Sequence, residues 1–310
     1  MRKKINFLKI KVKEKCQNNR GSLSIVNALL IASLVMIAAF VIDFGLGSAI
    51  DAKIQNAVDA SALAGGLYIK ESEALAFSKA NEIALLNGLV AGEYVVNIDM
   101  TEKTVQVTAT RHFNTSLARV FGISSGNVNA SSKVKLAPVG LIKNGVKPLA
   151  VEDQPFSYGQ RLVLKLNASD NAFGNFGALS LGGNGASIYR DNLLYGFNGG
   201  IAIGDVIYTN PGNMASVINP VRNMINPDPN TFDNYSRDSV RIWTIPIVDS
   251  MDVNGSSPVT VMGFAVFFIE DIGRQSGQTE ITGRFIEYAT TGRHSVSAGD
   301  YGLDSVMIIE

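Results

Sequence analysis

Two histidines, His112 and His294, carry the side chains best suited to acid–base or metal chemistry near neutral pH. His112 falls on a predicted strand, His294 falls in a turn-rich segment, and neither belongs to a metal-binding or nucleophile-activating motif. Carboxylates are plentiful, but no pair has the spacing expected for general acid–base work. We therefore predict that the chain is not an enzyme and binds no cofactor.

One polar loop has the alternating oxygen ligands of a calcium site. Residues 226–230 read Asn-Pro-Asp-Pro-Asn, and further acids and amides follow as far as Asp238. An EF-hand loop has glycine at its sixth place and glutamate at its twelfth, and here those places hold Thr231 and Arg237. A solvated turn is the alternative, and no metal site is predicted.

Phosphate and nucleic-acid binding find no support in the motifs. The glycine-rich stretch 174–204 contains neither a dinucleotide-binding nor a P-loop pattern, so turns and close packing account for its glycines. Residues 151–310 hold 17 acidic and 9 basic side chains, which argues against a nucleic-acid surface. The basic residues at the N-terminus are not interleaved with aromatic residues and are not followed by a recognisable nucleic-acid-binding domain.

A basic segment followed directly by a long uncharged segment at the N-terminus indicates a membrane anchor. Residues 1–20 contain eight Lys or Arg and one acid, and residues 21–42 contain no charge. About 20 apolar helical residues span a bilayer, and flanking basic residues stay in the cytoplasm. We predict a basic cytoplasmic tail (1–20), a single transmembrane helix (21–42) in the cytoplasmic membrane, and an exported remainder. A cleaved signal peptide is the alternative, but the apolar run is long for one. Cys16 would lie on the reducing side, so no disulfide would staple the exported part.

The helix is predicted to continue past the membrane as a stalk. An apolar stripe, Ile50/Ile54/Val58/Ala62, repeats every four residues, and we assign it to the protein's own sheet through Val105 and Val107. Asp43 is expected to mark the membrane exit rather than to be a buried functional carboxylate. The second repeat, which we call the small-residue ladder, is expected to face a helix of another subunit and comprises Ala57, Ser61 and Gly65.

These residues carry a resemblance to a known family. The sequence resembles the TadG-like proteins of the Tad (Flp) pilus-assembly system, through a basic flank, an apolar helix, an Asp-Phe-Gly turn of helix and an alanine-rich run. The matched stretches are Arg20-Gly21-Ser22, Asp43-Phe44-Gly45 and Gln55-Asn56-Ala57-Val58-Asp59-Ala60-Ser61-Ala62-Leu63-Ala64. The resemblance implies a membrane-anchored pilus-assembly protein whose partners are the bilayer, other assembly proteins and pseudopilins.

Two features depart from the patterns of that system. Many TadG-like proteins carry a von Willebrand A domain with an Asp-x-Ser-x-Ser metal motif, which this chain lacks. Prepilins carry glutamate five residues after the glycine of the cleavage site, and that position after Gly21 is Val26. We therefore do not expect cleavage by a prepilin peptidase.

The remaining patterns predict an α+β protein in two exported parts. In the stalk domain (43–137), a second amphipathic helix is predicted over 71–87, a hairpin around Thr101–Lys103, and a short helix over 113–123. The helices would pack on a small antiparallel sheet. Residues 138–155, rich in Pro and Gly, are predicted to be a linker. Residues 156–310 alternate strand patterns with turns, which predicts a β-rich sandwich or barrel-like domain.

The sequence thus favours a non-enzymatic component of Tad/Flp pilus assembly that acts by protein–protein interaction at the cell exterior. A cell-surface adhesin or sugar-binding module on the same anchor is the alternative. A secreted hydrolase is the third possibility.

Overall fold

The computed structural model describes residues 20–155, 157–165, 176–210, 214–251, 255–275, 278–295 and 298–309. The fold is α+β, with one long apolar N-terminal helix and a curled mixed sheet, as the sequence predicts in outline. The predicted basic tail, including Cys16, lies outside the described residues, except for Arg20.

Two helices form the first layer of the molecule. Helix α1 (Arg20–Tyr68) has 49 residues without a break, and helix α2 (Glu73–Leu86) follows it. The Ser72 hydroxyl accepts a hydrogen bond from the Leu75 N–H and so caps the start of α2. Gly88, with φ of 81°, follows the end of α2 in the left-handed conformation that glycine favours. The second helix is therefore confirmed close to its predicted bounds.

The first sheet lies against these helices. Its strands are β1 (Tyr94–Asp99), β2 (Thr104–Asn114), β3 (Ser125–Ile142), β7 (Ile201–Ala202), β12 (Tyr288–Thr290), β13 (Arg293–His294) and β14 (Leu303–Ile308). The main path through the sheet has the order β1-β2-β3-β14-β12, and β7 and β13 also pair with β3. Neighbours on the main path are antiparallel except β12 and β14, which are parallel, so the prediction of a wholly antiparallel sheet is wrong.

The apolar stripe of α1 packs on this sheet as predicted. Ile54, Val58 and Ala62 are buried in one cluster with Val105 and Val107 of β2. A helix crossing a sheet buries one face, and the polar positions between the stripe residues remain more accessible. We call α1 from Asp43 onward, α2 and the first sheet the stalk unit.

The second sheet is mixed and curls back on itself. Its strands are β4 (Leu149–Glu152), β5 (Arg161–Lys165), β6 (Phe176–Ser180), β8 (Val206–Thr209), β9 (Ile242–Val248), β10 (Pro258–Gln275) and β11 (Gln278–Ile286). The strand order is β5-β11-β10-β8-β6-β4-β9, and β9 also pairs with β10. Helices α3 (Ala186–Tyr195) and α4 (Ile218–Ile225) contribute buried side chains to the core on one face of the sheet. We call this sheet with its helices the β-rich unit.

The predicted linker 138–155 is wrong, because strands of the two sheets occupy half of it. Strand β3 continues to Ile142, and β4 enters the second sheet between β6 and β9. Pro138 is tolerated inside β3 since the β2 pairing has ended at Lys135. Gly140 allows close approach of the 294–295 segment, because a Cβ there would lie 2.4 Å from the Ser295 Cβ.

Two further boundaries differ from the prediction. The C-terminal strands β12 and β14 return to the first sheet, so residues 156–310 do not form a separate unit. The predicted helix over 113–123 is a 3-10 turn of four residues, Ala118–Phe121, because β2 extends to Asn114.

Candidate functional site

Residues 23–42 of α1, which we call the apolar rod, are almost all exposed. Within the described residues, one helix is long and apolar enough to span a membrane, and its most apolar window has a mean hydropathy of 2.8 with 6% of its residues buried. Large side chains such as Leu34 and Phe40 are about two-thirds exposed, at 66% and 68%. So much exposed apolar surface is unfavourable in water and favourable in lipid. The chain therefore fits a single-pass membrane protein.

Asp43 joins the end of this apolar rod to the turn between β2 and β3. Its carboxylate accepts hydrogen bonds from the backbone N–H groups of Ser116 (2.6 Å), Leu117 (3.0 Å) and Ala118. These donors precede or begin the 3-10 turn, where backbone N–H groups lack partners within the turn itself. Asp43 is 7% exposed, so this residue is a buried structural acceptor as well as the first charge after the apolar run.

The small-residue ladder faces the inside of the stalk unit, so the prediction that it meets another subunit is wrong. Ala57 is 1% exposed and Ser61 is fully buried. A Cβ on Gly65 would lie 3.0 Å from Val105 of β2 and 3.2 Å from Ala80 of α2. The ladder does mediate a close helix–helix contact, but the neighbouring helix is α2 of the same chain.

A buried ion pair connects the end of α1 to the C-terminal strand. The Lys70 ammonium lies 2.6 Å from the Asp304 carboxylate, and the two side chains are 3% and 5% exposed. The same ammonium donates to the Gly302 carbonyl at 2.9 Å. Charges this deep are stabilised only by their partners, so the pair fixes β14 beneath the helix end.

Arg237 makes a second connection between the helix end and the loop segments of the β-rich unit. Its guanidinium donates to the Leu67 carbonyl at 3.0 Å and to the Glu71 carboxylate at 2.8 Å. The guanidinium carbon lies 3.9 Å from the ring centroid of Tyr288, which adds a cation–π contact. Because the last carbonyls of a helix lack partners and carry partial negative charge, a cation is favourable there. Sequence reasoning missed this residue and Lys70, since both contacts bridge long separations that no local pattern reveals.

The two histidines lie apart from these contacts. His112 is exposed on β2 and His294 is exposed on β13. Asp228 accepts hydrogen bonds from Asn230 N–H (2.8 Å) and Ser239 Oγ (2.7 Å), so the polar loop is organised by its own side chains. Burial would raise the pKa of Asp228, but these hydrogen bonds outweigh it and the pKa lies below its usual value. In the described part of the chain, no group of three or more His, Cys, Asp or Glu is placed to hold a metal.

One cleft borders the first sheet, and another lies between the end of α1 and strand β11. One, of about 590 Å³, is lined by the end of β3, by Thr244 and by the segment 290–293, with the basic side chains of Lys143 and Arg293 at its walls. The other, of about 510 Å³, lies beside the end of α1 and has aromatic walls formed by Tyr158, Phe232, Tyr235 and Phe285.

Comparison of the chain with protein-family models, with curated proteins and with solved structures gives no match.

Proposed function

We propose that this chain is a membrane-anchored, non-enzymatic component of Tad/Flp pilus assembly, acting by protein–protein interaction outside the cytoplasmic membrane. The observation that carries the proposal is the continuity of α1, whose exposed apolar half leads without a break into a packed stalk unit. The resemblance of this same helix to TadG-like proteins supplies the assembly role.

With the small-residue ladder buried, the contact surface for other subunits must lie elsewhere. Helix α2 buries Ala76, Ala80 and Ala84 but leaves Leu85 and Leu86 53% and 74% exposed. A contiguous apolar patch on a folded unit is typical of an interaction site, and Leu85 and Leu86 are adjacent residues that both stay exposed. We therefore place the subunit contact at the end of α2.

Co-purification of the full-length chain with pseudopilins and assembly proteins tests this role. We expect Leu85→Glu combined with Leu86→Glu to abolish co-purification while the stalk unit stays protease-resistant. Val206→Glu changes a comparably exposed residue of the β-rich unit and should leave co-purification intact. Normal co-purification of the Leu85/Leu86 variant would show that the end of α2 is not the subunit contact.

The proposed orientation has its own test in intact cells. Cys16 in the basic tail should be protected from membrane-impermeant thiol reagents, whereas a cysteine at Ser256, which is exposed, should react. Labelling of Cys16 from outside would show that the orientation is reversed.

A second candidate function is sugar binding by the exported part as a cell-surface adhesin. The cleft walled by Tyr158, Phe232 and Tyr235 favours it, because aromatic faces and a few convergent polar groups are typical of small-ligand sites. In this version the curled sheet would serve as a barrel-like binding module. Glycan-array binding that is lost in Tyr158→Ala would support it, and binding to no glycan would favour assembly alone.

A further inference from the structure

Strand β2 runs along α1 toward the apolar rod. A Cβ on Gly65 would contact Val105 at 3.0 Å, and a Cβ on Gly47 would contact the Phe113 ring at 3.3 Å. From Gly65 back to Gly47 the helix covers about 27 Å. From Val105 to Phe113 the extended strand also covers about 27 Å. Strand and helix therefore run side by side, and the β2–β3 turn lies at the level of Asp43.

The turn reaches the end of the apolar rod. Its Leu117 N–H is held by the Asp43 carboxylate at 3.0 Å. One helical turn earlier on the same face, Ala39 is 2% exposed, whereas Phe40 and Val41 on other faces are 68% and 60% exposed. The face of α1 that carries Asp43 is thus covered at a level where the other faces of the helix are exposed.

The surface of this turn is unusually apolar for the tip of a hairpin. We call residues 115–124 the tip turn; this segment contains no acid, and its Arg119 is exposed. Loop tips in water are normally polar. Four large apolar side chains of the tip turn are exposed: Leu117 (38%), Val120 (81%), Phe121 (46%) and Ile123 (58%).

We propose that the tip turn is a second membrane contact, which inserts Val120 and Phe121 into the interfacial region of the bilayer that α1 spans. Arg119 lies among these side chains and places a cation at the level of the lipid phosphates, so the contact prefers anionic lipid. The proposal rests on α1 being a membrane span, and its occupant is lipid because the tip turn is continuous with that span. Two attachments, the helix and the tip turn, then set the height and rotation of the stalk unit on the membrane.

Quenching by brominated lipids tests the contact in the full-length chain. The protein is reconstituted into phosphatidylcholine vesicles with and without phosphatidylglycerol, and Phe121→Trp fluorescence is compared with that of the unmodified chain, whose Trp243 is fully buried. We expect brominated lipid to quench the new emission and vesicles to shift it to the blue. Phosphatidylglycerol should deepen the quenching, and Arg119→Gln should remove that lipid dependence.

Two matched variants distinguish lipid contact of the tip turn from insertion of α1 into the bilayer. Phe40→Trp reports the apolar rod, and Tyr195→Trp reports a residue of the β-rich unit that is 81% exposed. We expect quenching at Phe40 and at Phe121 but none at Tyr195. Quenching at Phe40 without quenching at Phe121 would overturn the tip-turn contact while leaving the membrane span intact, and would point to a protein partner for the tip turn. Absence of quenching at Phe40 would show that α1 does not span the bilayer, and would overturn the tip-turn contact with it.

Discussion

Replacement of Lys70 by Met should destabilise both the stalk unit and the β-rich unit, because it leaves the Asp304 carboxylate buried without a cation. Opposite charges 2.6 Å apart attract by about 6 kcal/mol at an effective dielectric constant of about 20, and that attraction offsets the dehydration of both groups. Without the Lys70 ammonium this attraction is lost, but the Asp304 carboxylate stays buried and dehydrated. The Gly302 carbonyl also loses its donor. We expect Lys70→Met to lower the free energy of unfolding by about 3–5 kcal/mol.

Urea unfolding of the full-length chain in detergent micelles measures this effect. Trp243, the one tryptophan of the sequence, is fully buried and reports the β-rich unit. Backbone circular dichroism reports the stalk unit at the same time. Because the ion pair joins the helix end to β14, both signals should shift to lower urea together. Lys79→Met is the matched control, since Lys79 is 35% exposed and pairs with Glu82 at the surface, and its loss should leave the urea midpoint nearly unchanged.

A double variant distinguishes an unpaired charge from lost packing. When Asp304→Leu is added to Lys70→Met, no buried charge is left, and stability should recover to near that of the unmodified chain. If Lys70→Met changes stability by less than about 1 kcal/mol, or if the double variant is as unstable as the sum of the two single ones, the reasoning about the buried pair is wrong.

Three other predictions follow from the described contacts. Ser61→Leu should destabilise the stalk unit by about 1–3 kcal/mol by overpacking a fully buried site, seen as increased protease sensitivity. Asp43→Ala should free the N–H groups by which Asp43 holds the tip turn and so speed amide hydrogen exchange over 116–118. Burial lowers the pKa of Lys147 to about 8 from 10.5, so the unfolded chain binds this proton more tightly and stability should rise as pH increases between those values. The rise, followed by urea unfolding, is at most about 3 kcal/mol and should vanish in Lys147→Met.

Each of these has a result that would contradict it. Ser61→Ala, which keeps the site small, should be much milder than Ser61→Leu; equal effects of the two would show that the hydroxyl bond to Ala57 matters more than space. Asp51→Ala, at an exposed acid of the same helix, should leave exchange in the tip turn unchanged. A stability that stays flat above pH 8 in the unmodified chain would show that the Leu194 carbonyl, 2.8 Å from the Lys147 ammonium, already compensates for burial.

The elements that sequence patterns predicted are those whose signal is local. The stripe through Ile54 and Val58 has helical period and one buried face, so both the helix and its buried side could be read directly. The hairpin around Thr101–Lys103 was equally clear from alternation on both sides, and Lys103 has a positive φ of 52° as tight turns require. The alternating strand patterns and turns of residues 156–310 predicted strands there, but not that the second sheet would curl so that both of its faces contribute to cores.

The errors arose where two residues distant in sequence meet. Small residues at Ser61 and Gly65 indicate close approach but do not identify the neighbour. A matching repeat of alanines in α2, Ala76, Ala80 and Ala84, was the signal that could have identified it. No comparable signal exists for Lys70 and Asp304, which are far apart along the chain and find each other only because β14 returns to the first sheet.

With α1 spanning a bilayer, as we propose, its unbroken course makes the stalk unit respond to bilayer thickness. From Asp43 to Tyr68 the helix extends about 39 Å beyond the apolar rod without proline or hinge. A span longer than the local hydrocarbon layer tilts, by about 20° on average for transmembrane helices. A rigid lever of that length would carry its far end sideways by about 13 Å for such a tilt. The position of the β-rich unit relative to the bilayer would then depend on the lipid around the span that we propose for α1.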